Sequence, residues 1–94
     1  MTDLELTKCC AKVMNCEHLL SAHPYIAYDP LKDDAQAFAL DEYIVKAGYS
    51  IYMDKNRCGI EKRGYVWRTT LDMTLPENRR RVRVEAVSKI YDTR

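Results

Sequence analysis

Residues 77–87 read Glu77-Asn78-Arg79-Arg80-Arg81-Val82-Arg83-Val84-Glu85-Ala86-Val87, and the class of fold turns on how that stretch is read. The alternation from Arg81 to Glu85 suits a strand, with arginines on one face and valines on the other. After Glu85 the alternation fails, because Ala86 and Val87 are both apolar. Wound at 3.6 residues per turn, Val82, Ala86 and Ile90 make one stripe, and Val84, Val87 and Tyr91 make a neighbouring one. Thr74 and Glu77 also have capping-box spacing, and Pro76 is tolerated in a first helical turn. A closing helix is the preferred reading. The alternative is that residues 79–85 form a strand.

Working back from that point, the preceding segments have period two. In YSIYMD, Tyr49, Ile51 and Met53 face one way, while Ser50, Tyr52 and Asp54 face the other. In YVWRTTLDM, Tyr65, Trp67, Thr69, Leu71 and Met73 alternate with Val66, Arg68, Thr70 and Asp72. Cys58 to Glu61, between two turn-like segments, suits a short middle strand. A three-stranded antiparallel meander is expected, or a two-stranded hairpin if the middle strand fails.

The first half reads as helices. Thr2 and Glu5 form a capping box, and Leu6, Cys9, Cys10, Val13, Met14 and Cys16 share one arc. A long connection follows over residues 17–30. Asp29 and Pro30 then suit the cap and first position of a second helix that ends at Gly48. Its apolar residues lie on two sides: Ala35, Phe38 and Val45 on one, Leu40, Tyr43, Ile44 and Ala47 on the other. That distribution predicts the central, most buried helix. The expected class is α+β: helix, loop, helix, a small antiparallel sheet and a C-terminal helix, with the helices packed on the sheet, in one domain of 94 residues.

Charge is balanced overall and polarised along the chain. Residues 1–47 carry four Lys/Arg and eight Asp/Glu, a net of −4, and residues 48–94 carry eleven and six, a net of +5. The two halves can neutralise each other within the fold, or the basic half can face an anionic partner. On a helix, Arg81 has Glu77 and Glu85 four residues either side, and Arg80 has Glu77 three residues back. Arg79 and Arg83 have no acid at those spacings and sit near the positive end of the helix dipole. Their anion must come from elsewhere. Asp33, Asp34, Asp41 or Glu42 could supply it internally. So could an external phosphate, nucleotide or acidic protein surface, each suited to the planar guanidinium fork.

Seven tyrosines against one phenylalanine add flat rings with polar tips, which suit interfaces and base stacking. Tyr49, Tyr65 and Trp67 are expected in the core. Tyr25 and Tyr28, in the loop HPYIAYDP, and Tyr52, on the outer strand face, are candidate contact residues with Arg79, Arg80 and Arg83.

Other chemistries find little purchase. Cys16, His18, His23 and Cys58 match no closed zinc spacing, and buried free thiols account better for the cysteines. There is no Gly-rich phosphate loop and no nucleophile–base–orienter set, so neither enzyme, cofactor nor metal site is expected. No apolar run reaches the roughly 20 residues of a membrane helix, and the acidic N-terminus is unlike a signal peptide. A cytoplasmic protein is expected, and the near-zero net charge is compatible with a homo-oligomer.

LELTKCCAKVM near the start, AQAFALDEYIVKAGYSIYM in the middle, Trp67 in the following strand and RVEAVSKIY at the end together resemble the phage ABA sandwich domain family of small bacteriophage proteins. Asn15-Cys16 stands where members often have Gly-Trp, and the arginine cluster is not a family feature. The resemblance implies a three-layer helix–sheet–helix fold and a phage-encoded product acting in a bacterial host, with no transferable chemistry. The leading functional expectation is therefore a non-enzymatic accessory protein that binds a host or phage protein, as a counter-defence factor would. The alternative is a binder of nucleic acid or of a small anionic nucleotide.

Overall fold

A computed structural model describes residues 2–21, 28–63 and 65–92. Among them, three helices and a three-stranded antiparallel sheet follow in the order α1 (Asp3–Val13), α2 (Asp34–Lys46), β1 (Ser50–Met53), β2 (Arg57–Lys62), β3 (Tyr65–Thr70) and α3 (Pro76–Asp92), with a 3-10 turn at Glu17–Ser21. The stretch 77–87 is helical throughout.

Local chemistry sets most boundaries. The Thr2–Glu5 capping box opens α1, with the Glu5 N–H donating to Thr2 Oγ1 at 3.1 Å. At its other end Asn15 takes the left-handed conformation (φ 57°), so that the Cys16 N–H reaches Ala11 O at 2.8 Å. Gly48 (φ 89°) ends α2 in the same way, with the Tyr49 N–H donating to Ile44 O at 3.1 Å. Both ends satisfy carbonyls that a helix leaves unpaired. The second helix begins later than Asp29-Pro30 suggests. Residues 30–32 form a turn closed by the Lys32 and Asp33 N–H groups on Asp29 O, and Asp33 becomes the cap by accepting the Gln36 N–H at 2.9 Å.

The Thr74–Glu77 box does not form. Thr74 instead donates its backbone N–H to Asp72 Oδ1 at 3.0 Å, and Pro76 occupies the first helical position, where it has no N–H to leave unpaired. The Thr74 hydroxyl, which also donates to Asp72 Oδ1, and the backbone N–H together hold the Asp72 carboxyl below the usual aspartate range.

The sheet runs β1-β2-β3, with Ile51 opposite Ile60 opposite Trp67, and Met53 opposite Cys58 opposite Thr69. That face meets the helices. Ile60 packs with Val84, Val87, Leu40 and Ile44, while Cys58 packs with Val82 and Met73. On the opposite face Ser50, Glu61, Arg68 and Thr70 are exposed, so the third layer implied by the family resemblance is not found among the described residues.

The most buried helix is α3, not α2. Val82, Val84, Ala86, Val87, Ser88 and Ile90 are all buried, because α3 is flanked by α1 and α2 and lies on β2 and β3. In α2, Ala37, Leu40 and Ile44 face inward, whereas Phe38 and Val45 stand in solvent. The second apolar side of α2 thus faces solvent, apart from the Arg83 guanidinium over the Phe38 ring.

Candidate functional site

The four arginines leave α3 in different directions, since each step along a helix turns about 100°. Arg80 and Arg83, three residues apart, point towards α2. Arg80 donates from Nε to Leu31 O at 2.9 Å and from Nη1 to Asp34 Oδ1 at 2.8 Å. Arg83 donates from Nε to Asp41 Oδ1 at 2.9 Å and from Nη1 to Arg79 O at 2.9 Å, and its guanidinium lies 4.7 Å from the centre of the Phe38 ring. Arg81 points to α1, with Nη2 at 2.9 and 3.0 Å from the two carboxylate oxygens of Asp3. This replaces the local pairing with Glu77 and Glu85 that helix spacing suggests.

The charge polarity of the chain is therefore largely used inside the fold. Acids in the first turns of α1 and α2 and in the middle of α2 meet basic groups from the start of α3. The side chains of Arg80 and Arg83 are only 17% and 12% exposed, which makes them struts between helices rather than open contacts. Arg79 is exposed and makes no ion pair among the described residues; its Nη1 donates to Met73 O at 3.3 Å.

The tyrosine candidates also separate. Tyr28 is a core ring, 4% exposed, packed with residues of all three helices. A loop tyrosine beside two prolines looked exposed in sequence, yet α1, α2 and α3 leave a space that its ring fills. Its hydroxyl has no hydrogen-bond partner among the described residues, and burial, with Cys10 and Cys16 nearby, pushes its pKa up. Tyr25 lies outside the described residues. Tyr52 is half-buried on the outer face of the sheet, as its alternation places it.

Two surface features remain. The first is on α2, where Phe38 is 51% and Val45 63% exposed, with Ala35 also in solvent. These positions recur at three- and seven-residue spacing and so share one side of the helix. Glu42 and Lys46 flank it as a 2.8 Å ion pair. The second is an open cleft of about 320 Å³ on the outer sheet face, lined by Tyr52, Asp54, Arg57, Arg68, Thr69 and Thr70.

Strand alternation with Trp67 is the sequence signal that places Arg68 on the outer sheet face. Phe38 and Val45 were legible as apolar, though nothing in the sequence marked them as exposed.

The cysteines lie in the interior or half-buried. Burial, followed by the neighbouring Cys9, pushes the Cys10 thiol up to about 12, and burial also raises Cys58. Neither is a thiolate at neutral pH, which is the form that attacks carbonyls or binds metals. Cys16 and Cys58 do not converge: Cys16 Sγ lies against Met14 O and Cys58 against Thr69 O. Among the described residues no group of three His, Cys, Asp or Glu side chains could hold a metal ion, and no helix is long and apolar enough to cross a membrane.

No family model matches this chain, and neither a curated protein nor a solved structure is significantly similar to it.

Proposed function

We propose that this chain is a non-enzymatic accessory module that binds a protein partner through the exposed side of α2. The carrying observation is the exposed apolar pair Phe38 and Val45, 51% and 63% exposed, on a helix fixed at both ends by its caps. Large side chains grouped on one exposed helix face are typical of contact surfaces, and burying what these two still expose favours association by roughly 1–2 kcal/mol each before the cost of ordering the partners. The Arg83 guanidinium lies over one side of the Phe38 ring, 4.7 Å from its centre, which leaves the other side open to a partner. The family resemblance would make the partner a host or phage protein in the bacterial cytoplasm, with counter-defence as one such role. In this reading Arg79 belongs to the accessible basic surface, while Arg80 and Arg83 support the helix that makes the contact.

The test is a tagged pull-down from bacterial lysate, with and without nuclease, using the native chain beside Val45→Asp and Arg68→Ala. A nuclease-resistant protein captured by the native chain and by Arg68→Ala, and lost with Val45→Asp, supports the reading. Capture that survives Val45→Asp, or that disappears with nuclease, overturns it.

A further inference from the structure

We infer that β3 is a pairing edge through which two copies of this chain join antiparallel, continuing the sheet across a two-fold axis. The edge lies away from the α2 contact, because α2 packs beside β1 at the other margin of the sheet, and the inference does not depend on that reading.

An edge strand leaves the N–H and C=O of every second residue pointing away from the sheet, and another strand is the element that satisfies such a row throughout. Apart from β2, no described residue hydrogen-bonds to the main chain of β3. Proteins usually blunt an edge with proline, lysine, a bulge or a short strand. β1, the other edge, is four residues long. β3 has six, pairs one-to-one with β2 without a bulge, and contains neither proline nor lysine. Apart from Arg68 its residue types are β-branched or aromatic, which favour strands.

Residues directly opposite each other in a sheet share a face, so a two-fold axis between two β3 strands must pass through a residue position. Centred on Arg68, it would set two guanidinium groups directly opposite each other, which is unfavourable. Centred on Trp67, it sets indole against indole on the helix side and places Arg68 opposite Val66. Trp67 is half-buried and packs against both parts of the core, so a second indole covers what it still exposes.

That register also matches charge at both ends. Arg63, exposed in the turn before β3, has no ion pair among the described residues. Asp72 is exposed just past the other end of β3; Thr74 occupies its Oδ1, and its Oδ2 has no partner among the described residues. With Trp67 at the axis, position 63 of one copy falls opposite position 71 of the other, beside Asp72, and symmetry makes the contact twice. This reciprocity favours a second copy over a foreign strand, which would need the same charged ends in the same order. The net charge of +1 sets little repulsion between copies. One strand edge makes a small interface, so a micromolar dimer is expected, closed by its two-fold axis.

The experiment is sedimentation equilibrium of the full chain from about 10 µM to about 1 mM, with emission of the single tryptophan, Trp67, read over the same range. A monomer–dimer equilibrium should appear, and Trp67 emission should move to shorter wavelength as dimer forms. Alternate amides of β3 should gain protection from hydrogen exchange with concentration. Arg63→Glu should weaken the dimer about tenfold, because two attractive end contacts become repulsive. Asp72→Lys should do the same, and the double variant should recover most of the loss. The emission and exchange readouts use the native chain, so they stand whatever either variant does to folding. A monomer throughout the range overturns the inference, as do assemblies that keep growing with concentration. A dimer indifferent to both charge reversals, or one that leaves Trp67 and the β3 amides unchanged, also overturns it. So does a dimer lost with Val45→Asp yet kept by the strand-end variants, which would place self-association on α2.

Discussion

Replacing Arg83 by alanine tests whether the arginine cluster is internal architecture. The substitution removes the 2.9 Å contact with Asp41, the hydrogen bond to Arg79 O, and the guanidinium lying 4.7 Å from the centre of the Phe38 ring. Fully exposed ion pairs contribute about 0–1 kcal/mol, whereas breaking a buried one costs about 3–5 kcal/mol. Here the arginine side chain is 12% exposed and the aspartate 38%, so the pair lies between those limits, and solvent screening at Asp41 holds it near 1–2 kcal/mol. The cation–ring contact adds about 0.5–1 kcal/mol.

A loss of about 1.5–3 kcal/mol follows, out of a total of roughly 5–14 kcal/mol for a domain of this length. At about 4–8 °C per kcal/mol, the midpoint of thermal unfolding should fall by roughly 10–20 °C. Urea unfolding followed by circular dichroism measures the free-energy loss, with Arg79→Ala as the exposed comparison, expected within about 0.5 kcal/mol of native. A double-mutant cycle with Asp41→Ala should return a coupling near 1 kcal/mol. If Arg83→Ala proved as mild as Arg79→Ala, or the coupling vanished, the strut assignment would be wrong and an external anion would again be required.

Three further outcomes can be checked by similar means. Gly59→Ala should destabilise by about 3 kcal/mol or more, because its Cβ meets backbone of β3 rather than a side chain able to rotate away; a loss below 1 kcal/mol in urea unfolding would show that the strands part easily. Tyr28→Phe should be neutral or stabilising by up to about 1 kcal/mol, since its buried hydroxyl has no partner among the described residues, whereas a loss above 1 kcal/mol would expose a hydrogen bond. For Cys10, the folded value raised to about 12 stands above the unfolded thiol's, near 8.5. Its stabilising effect is therefore complete below that unfolded value and is lost as pH rises towards 12, with Tyr28 acting in the same direction. Urea midpoints should decline above about pH 9, and Cys10→Ala should flatten part of that slope; an unchanged slope would refute it.

The order of elements was legible because it depends on local chemistry. A capping box at Thr2, a glycine able to turn left-handed at Gly48, and alternation in Ser50–Met53 and Tyr65–Thr70 act within a few residues. The helical reading of 77–87 likewise followed from Ala86 and Val87, which no alternating strand could place on one face. What the arginines touch was not legible. Spacing along a single helix offered Glu77 and Glu85 to Arg81, yet folding brought Asp3 to it from 78 residues away. Partner choice between helices depends on their relative rotation, which periodicity in one segment does not contain.

Burial showed the same division. Sequence alone determined that α2 has two apolar sides, that the chain's halves carry opposite charge, and that Tyr52 and Arg68 alternate away from Ile51 and Trp67. Only the tertiary structure decided that α3, short of large apolar side chains and rich in arginine, occupies the centre. The physical reason is that its valines and Ala86 permit close approach by α1, α2 and the sheet, while its arginines reach past that contact to carboxylates at the margin. With α3 in the middle, α2 can bury only one of its apolar sides. The exposure of Phe38 and Val45, and the open sheet face carrying Tyr52 and Arg68, are consequences of that packing.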